Sequence, residues 1–266
     1  MICSSELTQK TKAYLEEYGA GRISLAGIPE KHLDEIRNKF ASAYHFLAEG
    51  NYPYLYEKLK TLDNYINALE STEDENSDGG NTYEKIYRYI RSTNERFEES
   101  IFRSLFVPKY SWSIPTQEAI QEIVSCGPVI EIGAGSGYWA HLVQKAGGDI
   151  VPFDKFLGED NEYGHRETWT DVLEGGNEVI SLYPDHALFL SWPSYDEDWG
   201  AETLETYIEN GGKTLIYVGE SMGGCCANDR FFELINQHFR LKKKIELPQW
   251  YGIYDNMYIY ERIGEE

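Results

Sequence analysis

The sequence predicts an α/β fold: a mostly parallel, Rossmann-like sheet with helices on both faces and an antiparallel last strand, preceded by an N-terminal α-helical region. Two observations predict it. Residues 1–107 repeat apolar side chains at helical spacing, whereas residues 108–266 alternate short apolar runs with helical stretches. All six tryptophans also lie in the second part. We therefore predict two domains that meet near residue 107.

The N-terminal region is predicted to form three helices. Apolar residues at helical spacing mark residues 33–47, 55–69 and 86–105, the last with an interruption near residues 92–94. Residues 71–81 are acidic, contain glycine and lack apolar side chains, which predicts a loop. The helices carry no recognisable chemistry, so a cap over a ligand site in the second domain is one role open to them.

The second domain is predicted to contain six strands and three helices. The apolar runs that we assign to strands cover residues 129–132, 150–153, 187–190, 214–218, 241–247 and 254–260. The helical stretches cover residues 138–146, 199–210 and 229–239. No helical pattern separates the last two strands, which predicts an antiparallel hairpin at the edge of the sheet.

The charge balance argues against a nucleic-acid partner. The chain has 24 basic and 45 acidic residues, a formal net charge of -21, and this acidity opposes binding to a phosphate backbone. The only basic run is Lys242, Lys243 and Lys244, which we interpret as a solvated strand edge.

The cysteines and the apolar runs bear on the cellular setting. Four cysteines without framework spacing indicate a reduced, cytoplasmic protein. No signal peptide and no run long enough to span a bilayer is recognisable, so we expect no membrane association. The oligomeric state is left open.

The most informative stretch is VIEIGAGSGYWA, which begins at Val129. An apolar strand carries Glu131 and is followed by glycines at alternate positions, from Gly133 to Gly137, before a helical stretch. Glycines in such a turn allow a ligand to approach the main chain at the carboxyl end of a strand. A dinucleotide fingerprint would need its third glycine at position 138, which is Tyr138. The next predicted strand leads to another acid, Asp154.

This arrangement resembles the cofactor site of class I S-adenosylmethionine-dependent methyltransferases. The segments IPTQEAI, ALFLSWPSY and YVGE extend the resemblance, over residues 110–262, to a bacterial and plant methyltransferase-like group without an established substrate. It implies that the glycine turn lies under the methionine part and that Asp154 binds the ribose. The net positive charge of the cofactor suits acidic neighbours. The cofactor-binding residues expected are Glu131, Gly133, Ala134, Gly135, Gly137, Asp154, Asp171 near the adenine, and Ser191.

The end of the predicted fourth strand is the expected place of methyl transfer. Its sequence, LFLSWPSY, resembles the (D/N/S)-P-P-(Y/F/W) motif of amino-group methyltransferases, although Trp192 intrudes and Ser194 replaces the second proline. An amino-group acceptor and a rigid aromatic wall therefore both stay open. The candidate catalytic residues are Ser191, Tyr195, Glu220 and His165.

Aromatic residues are the candidates for the substrate pocket. The residues expected to line it are Tyr110, Trp112, Trp192, Pro193 and Trp250. A metal-assisted transfer would need carboxylates where the fourth strand ends, and Ser191 and Trp192 stand there, so we expect no metal.

The sequence thus predicts a methyltransferase that uses S-adenosyl-L-methionine and acts on a nitrogen or oxygen atom of a small molecule or protein side chain. One alternative is an interaction module that binds the cofactor without catalysis. The other is an NAD-dependent oxidoreductase, which Tyr138 disfavours.

Overall fold

The computed structural model describes residues 61–62, 64–69, 80–93, 103, 106–158, 165 and 168–264. The predicted helix over residues 33–47, most of the acidic loop and large parts of the other two N-terminal helices lie outside these residues. Contacts divide the chain into two compact units, Met1–Phe106 and Val107–Glu266. Among the described residues, no helix is long and apolar enough to cross a membrane.

In the first unit, helix α1 spans Thr82–Thr93. It begins after Asn81, whose side-chain oxygen accepts a hydrogen bond from the Glu84 amide at 3.0 Å. Ile86 and Ile90 are fully buried, as the apolar spacing predicts. The predicted interruption near residues 92–94 lies at the limit of the described residues and stays a prediction. A cap function for this unit stays a prediction.

In the described part of the second unit, seven strands form one sheet. They are β1 (Val129–Ile132), β2 (Ile150–Asp154), β3 (Leu173–Glu174), β4 (Ala187–Ser191), β5 (Thr214–Gly219), β6 (Phe239–Glu246) and β7 (Asn256–Arg262). Their order is β3-β2-β1-β4-β5-β7-β6. Strands β1 to β5 are parallel, whereas β7 runs antiparallel to both β5 and β6. The predicted fold class, including the antiparallel last strand, is confirmed.

Helices cover both faces of this sheet. They are α2 (Gln117–Ser125), α3 (Tyr138–Lys145), a 3-10 helix (Asn177–Leu182), α4 (Trp199–Glu209) and α5 (Asp229–His238). Leu188 and Leu190 of β4 belong to the core cluster that contains the buried residues of α4 and α5. Between them, Phe189 contacts Trp139 of α3, with ring centroids 5.5 Å apart. Because alternate strand residues face opposite sides, α3 lies on one face and α4 and α5 on the other.

Two details differ from the sequence predictions. Strand β3 and the 3-10 helix were not predicted, because β3 is two exposed residues long and carries no alternating pattern. Strand β7 begins at Asn256 rather than at residue 254. The last two strands pair as the predicted antiparallel hairpin at the edge of the sheet, with β6 outermost and β7 between β5 and β6.

Candidate functional site

A cavity of about 660 Å³ opens at the carboxyl ends of β1, β2 and β4. This volume is typical of small-molecule sites. It lies beside β1, where the direction of strand order changes: β2 and β3 lie on one side of β1, and β4 and β5 lie on the other. Ligands usually bind at this position in an open α/β sheet. The described residues that line it belong to the second unit. The predicted site residues among them are Tyr110, Trp112, Glu131, Gly133, Ala134, Gly135, Asp154, His165, Ser191, Trp192, Pro193 and Tyr195.

One end of the cavity, which we call the glycine-turn end, is formed by Glu131, Gly133, Ala134, Gly135 and Asp154. The φ angles of Gly133 and Gly135 are 76° and 56°, in the left-handed region that favours glycine. A Cβ atom on Gly133 would lie 2.7 Å from the Trp199 ring, and one on Gly135 would lie 2.9 Å from the His165 ring. The turn therefore needs glycine for its backbone angles and for the side chains that pack on it.

Asp154 fastens this turn to the end of β2. Its Oδ2 accepts a hydrogen bond from the Gly135 amide at 2.7 Å, and its Oδ1 accepts one from the Phe156 amide at 2.9 Å. The Gly133 and Ala134 amides donate to the Phe153 carbonyl at 2.8 and 2.9 Å. A carboxylate has about four lone-pair positions, so Asp154 can still accept hydrogen bonds from a ligand. Asp154 thus holds the turn in place and can also bind a ligand.

Glu131 is the most unusual group in the cavity wall. It is 1% exposed, and its Oε2 atom has no hydrogen-bond partner among the described residues. Burial raises the pKa of this carboxyl well above its ordinary value, and the nearby Asp154 carboxylate raises it further. Burial therefore favours the neutral acid, and a cation in the cavity would favour its ionisation.

His165 lies at the same end. Its Nδ1 is 3.0 Å from the Pro108 carbonyl oxygen, which can only accept, so Nδ1 carries the proton in the neutral ring. Burial lowers the pKa of His165, opposed by the Pro108 hydrogen bond and by the charge of Asp154. A neutral imidazole thus packs over Gly135.

Another part of the cavity wall, which we call the tryptophan end, contains Trp112, Ser191, Trp192, Tyr195 and Cys225. Trp192 has a φ angle of 56°, which is rare for a residue with a side chain. Its amide donates to the Val218 carbonyl at 2.9 Å, and its Nε1 donates to Oδ1 of the buried Asp255 at 2.8 Å. Its ring stacks on Trp112 at 5.3 Å. These contacts hold Trp192 in a conformation that it would otherwise avoid.

Ser191 and Tyr195, which lie on either side of Trp192 in the sequence, have different surroundings. The Ser191 hydroxyl is 3.3 Å from that of the buried Ser113. Tyr195 is 47% exposed at the rim. Residue Ser194 pairs with Cys226 in an isolated β-bridge, which brings Cys225 into the cavity wall. The end of β4 is therefore built against two distant loops.

Four predicted site residues lie outside the cavity wall. Glu220 instead accepts hydrogen bonds from the Cys225 amide at 2.7 Å, the Cys225 thiol at 2.9 Å and the Tyr254 amide at 2.8 Å. Trp250 is 1% exposed in the core, and Asp171 is exposed at the surface. Gly137, with φ 68°, stands at the start of α3, where a Cβ would meet Val172. Glu220 therefore links the loops that contain Cys225 and Tyr254. Gly137 provides the backbone conformation with which α3 begins.

Sequence reasoning predicted Tyr110 and Trp112 but missed the main-chain hydrogen bonds of the segment that contains them, residues 108–113. Three consecutive carbonyls in it accept hydrogen bonds: Pro108 from His165, Lys109 from Trp169 Nε1 at 2.7 Å, and Tyr110 from the Ser136 hydroxyl. The Tyr110 ring also stacks on Trp169 at 5.4 Å. Such main-chain acceptors leave no residue pattern, so only the aromatic side chains of the segment could be recognised beforehand.

No family model and no curated protein matches the chain. Solved structures that match include the methyltransferase CalO6, with a TM-score of 0.39 and 18% identity over 55% of this chain and 60% of that chain. The methyltransferase domain of bacterial CtHen1-CN matches with a TM-score of 0.35 and 12% identity, over 54% of this chain and 94% of that chain.

A third match is the tRNA (uracil-54, C5)-methyltransferase of Pyrococcus abyssi in complex with S-adenosyl-L-homocysteine. Its TM-score is 0.38, at 9% identity over 55% of this chain and 37% of that chain. The chain thus spans less than two thirds of two of these three proteins. Because one of them is a tRNA methyltransferase, the prediction that nucleic acid is disfavoured gains no support from them. These three solved structures are methyltransferases, and at these identities the resemblance is one of fold.

Proposed function

We propose that this protein binds S-adenosyl-L-methionine in the cavity and transfers its methyl group to a small molecule or a protein side chain. One observation carries the proposal: two carboxyl groups, Glu131 and Asp154, flank a glycine turn in a cavity whose described wall contains no arginine. This arrangement suits a ligand that has a net positive charge and no phosphate. A dinucleotide would instead bring a pyrophosphate close to the carboxylates.

Each end of the cavity has a distinct task in this proposal. The glycine turn holds the methionine part, Asp154 accepts hydrogen bonds from the ribose hydroxyls, and Glu131 ionises against the ammonium group. The cofactor, when bound, supplies a methyl group already activated on a sulfonium. The tryptophan end then has to position the acceptor atom and exclude water, which is most of what an in-line displacement demands of a protein.

Proton removal is the remaining chemical task. His165 is kept neutral by burial and can hold a proton, but it packs at the glycine-turn end. Ser191 and Tyr195 are at the tryptophan end, where they can orient a nitrogen or oxygen nucleophile. We therefore propose positioning roles for Ser191 and Tyr195, and we no longer propose Glu220 as a base, because its carboxylate accepts three hydrogen bonds outside the cavity wall.

Calorimetric titration with S-adenosylhomocysteine tests the proposal. We expect saturable binding that Asp154→Asn weakens by about tenfold to a hundredfold, because hydrogen bonds worth roughly 1 to 3 kcal/mol are lost. The matched control is Asp185→Asn, which changes an exposed aspartate outside the cavity wall and should leave the affinity unchanged. Thermal melting of each variant separates binding from folding, since Asp154 also holds the Gly135 amide.

NADH serves as the competing ligand. A folded wild-type protein that gives no heat with S-adenosylhomocysteine would remove the proposal, and tight NADH binding in its place would restore the oxidoreductase alternative. Binding without turnover, in a screen of amines, alcohols, proteins and tRNA with labelled S-adenosylmethionine, would favour the non-catalytic interaction module.

A further inference from the structure

We infer that the acceptor is a small organic cation, an amine carried on a flat aromatic or apolar frame, and that it binds at the tryptophan end. The inference rests on the proposed function and names its substrate class. Three features of the protein support it: the negative charge of the cavity wall, the indole rings of its tryptophans and the ion pairs of the surface lysines.

The charge of the cavity wall favours a cation. Four acids besides Glu131 line it, and the described wall contains one lysine, Lys155, whose ammonium lies over the Phe156 ring at 5.4 Å. The four acids are Asp154, Asp196, Glu197 and Glu202. A cofactor with one net positive charge leaves the wall negative, so an acceptor that carries a carboxylate or a phosphate would meet repulsion. An aromatic wall of low polarity strengthens that field.

Two tryptophans of the wall, Trp192 and Trp199, already use their indole N–H groups within the protein. The indole N–H of Trp192 is used by Asp255 at 2.8 Å, and that of Trp199 by the Ser194 hydroxyl at 3.1 Å. The negative face of an indole ring attracts ammonium groups. An anion would therefore not be met by the N–H groups of Trp192 or Trp199, while a cation meets aromatic rings together with the acids at the rim.

Glu131 points to a cationic occupant of the cavity, which in the proposed function is the ammonium group of the cofactor and not the acceptor. The Glu131 side chain is 1% exposed, lines the cavity, and leaves Oε2 without a partner among the described residues. Native proteins seldom bury such an oxygen unsatisfied. A donor that enters the cavity would satisfy it, and a positively charged donor would do so best.

The surface lysines argue against a long polyanion as the acceptor. Lys242 pairs with Glu261 at 2.7 Å, Lys243 pairs with Glu122, and Lys244 lies over the Tyr258 ring at 5.8 Å. The basic run noted in the sequence is thus occupied by carboxylates and a ring of the same chain. Binding of nucleic acid would have to break these contacts or proceed without them.

The transfer step balances with an amine as acceptor. The bound ammonium first gives a proton to a carboxylate of the wall or to water, which frees the nitrogen lone pair. That pair forms the new N–C bond to the methyl carbon while the C–S bond breaks, and its electrons remain on sulfur. S-adenosylhomocysteine leaves as a neutral thioether, and the methylated amine carries the positive charge.

Three probes that share an indole frame but differ in charge test the inference. The protein is saturated with S-adenosylhomocysteine and titrated with tryptamine, tryptophol and indole-3-acetate, which carry an ammonium, a hydroxyl and a carboxylate on the same indole frame. We expect tryptamine to bind at least tenfold more tightly than indole-3-acetate, with tryptophol between them. The double variant Asp196→Asn and Glu197→Gln should reduce that ratio severalfold, whereas Asp185→Asn should leave it unchanged.

The outcomes separate the inference from the proposed function. If S-adenosylhomocysteine binds but the three probes bind equally, or the carboxylate binds best, the acceptor class is overturned while the proposed function stands. Absence of tryptamine binding to the saturated protein has the same meaning. If S-adenosylhomocysteine itself does not bind, the proposed function fails and takes the inference with it.

Discussion

The two ends of the cavity differ in how far apart their residues lie in the sequence. The glycine-turn end is built from residues 131–154, two adjacent strands and the turn after the first. The tryptophan end combines Trp112, Trp192 and Cys225, and the buried Asp255 supports it from a fourth segment. A short stretch of sequence can therefore specify the first end, whereas only the folded sheet can assemble the second.

The forces that hold the two ends differ as well. Main-chain amides and one carboxylate fix the glycine turn, so its shape depends on backbone conformation. Side-chain stacking and an indole hydrogen bond fix the tryptophan end. Substitutions should therefore act on separate functions: backbone changes at the first end on cofactor affinity, and ring changes at the second on the acceptor.

The largest effect is expected from Gly135→Ala. The new Cβ would lie 2.9 Å from the His165 ring, on a residue with φ 56°, so the turn has to distort. We expect affinity for S-adenosylhomocysteine to fall at least a hundredfold, measured by calorimetry. Gly211→Ala is the matched control, because φ is 78° there and a Cβ meets open space. It should lower stability by about 1 kcal/mol and leave binding unchanged.

Equal binding by the Gly135→Ala and Gly211→Ala variants would contradict this account of the glycine-turn end. The close approach of His165 would then be irrelevant to the ligand, and the turn would serve packing alone.

An intermediate effect is expected from Trp192→Phe. The variant keeps a ring against Trp112 but removes the donor to Asp255, a fully buried carboxyl group. We expect a loss of roughly 1 to 3 kcal/mol in the free energy of unfolding by urea. Affinity for S-adenosylhomocysteine should stay within about twofold of the wild type, because the glycine-turn end is unchanged.

Trp169→Phe supplies the comparison for that variant. It also removes an indole donor, but the acceptor left behind is the neutral Lys109 carbonyl. The stability loss should be smaller, about 1 kcal/mol. If the two variants lose equal stability, the buried Asp255 carboxyl is not what makes Trp192 important.

More of the glycine-turn end than of the tryptophan end could be predicted from the sequence. The apolar periods predicted six of the seven strands, and the glycine spacing pointed to the turn that lines the cavity. Sequence reasoning could not find the contact of Trp192 with Asp255, which are 63 positions apart, or the role of Glu220 between two loops. Such contacts follow from the insertion of β7 beside β5, and pairing across the sheet leaves no local pattern.

The smallest effect, expected from Glu131→Gln, also has an unusual sign. Burial raises the pKa of Glu131 in the folded chain, so the folded state keeps a proton that the unfolded state releases. Stability is then full below the ordinary glutamate pKa and falls as pH rises toward the raised one. Glutamine cannot ionise, so without ligand the stability of the variant relative to the wild type should increase when the pH is raised from about 5 to about 8.

Binding should change in the opposite direction. Wild-type affinity for S-adenosylhomocysteine should increase with pH over the same range, because Glu131 ionises more readily against the ammonium group, and the variant should lack this increase. His165, whose lowered pKa costs stability as the solution becomes acidic, is common to both proteins and cancels in the difference. Urea unfolding and calorimetry at the two pH values measure both effects. Parallel stability profiles would mean that Glu131 carries no buried proton, and the unpartnered oxygen would no longer point to a cationic ligand.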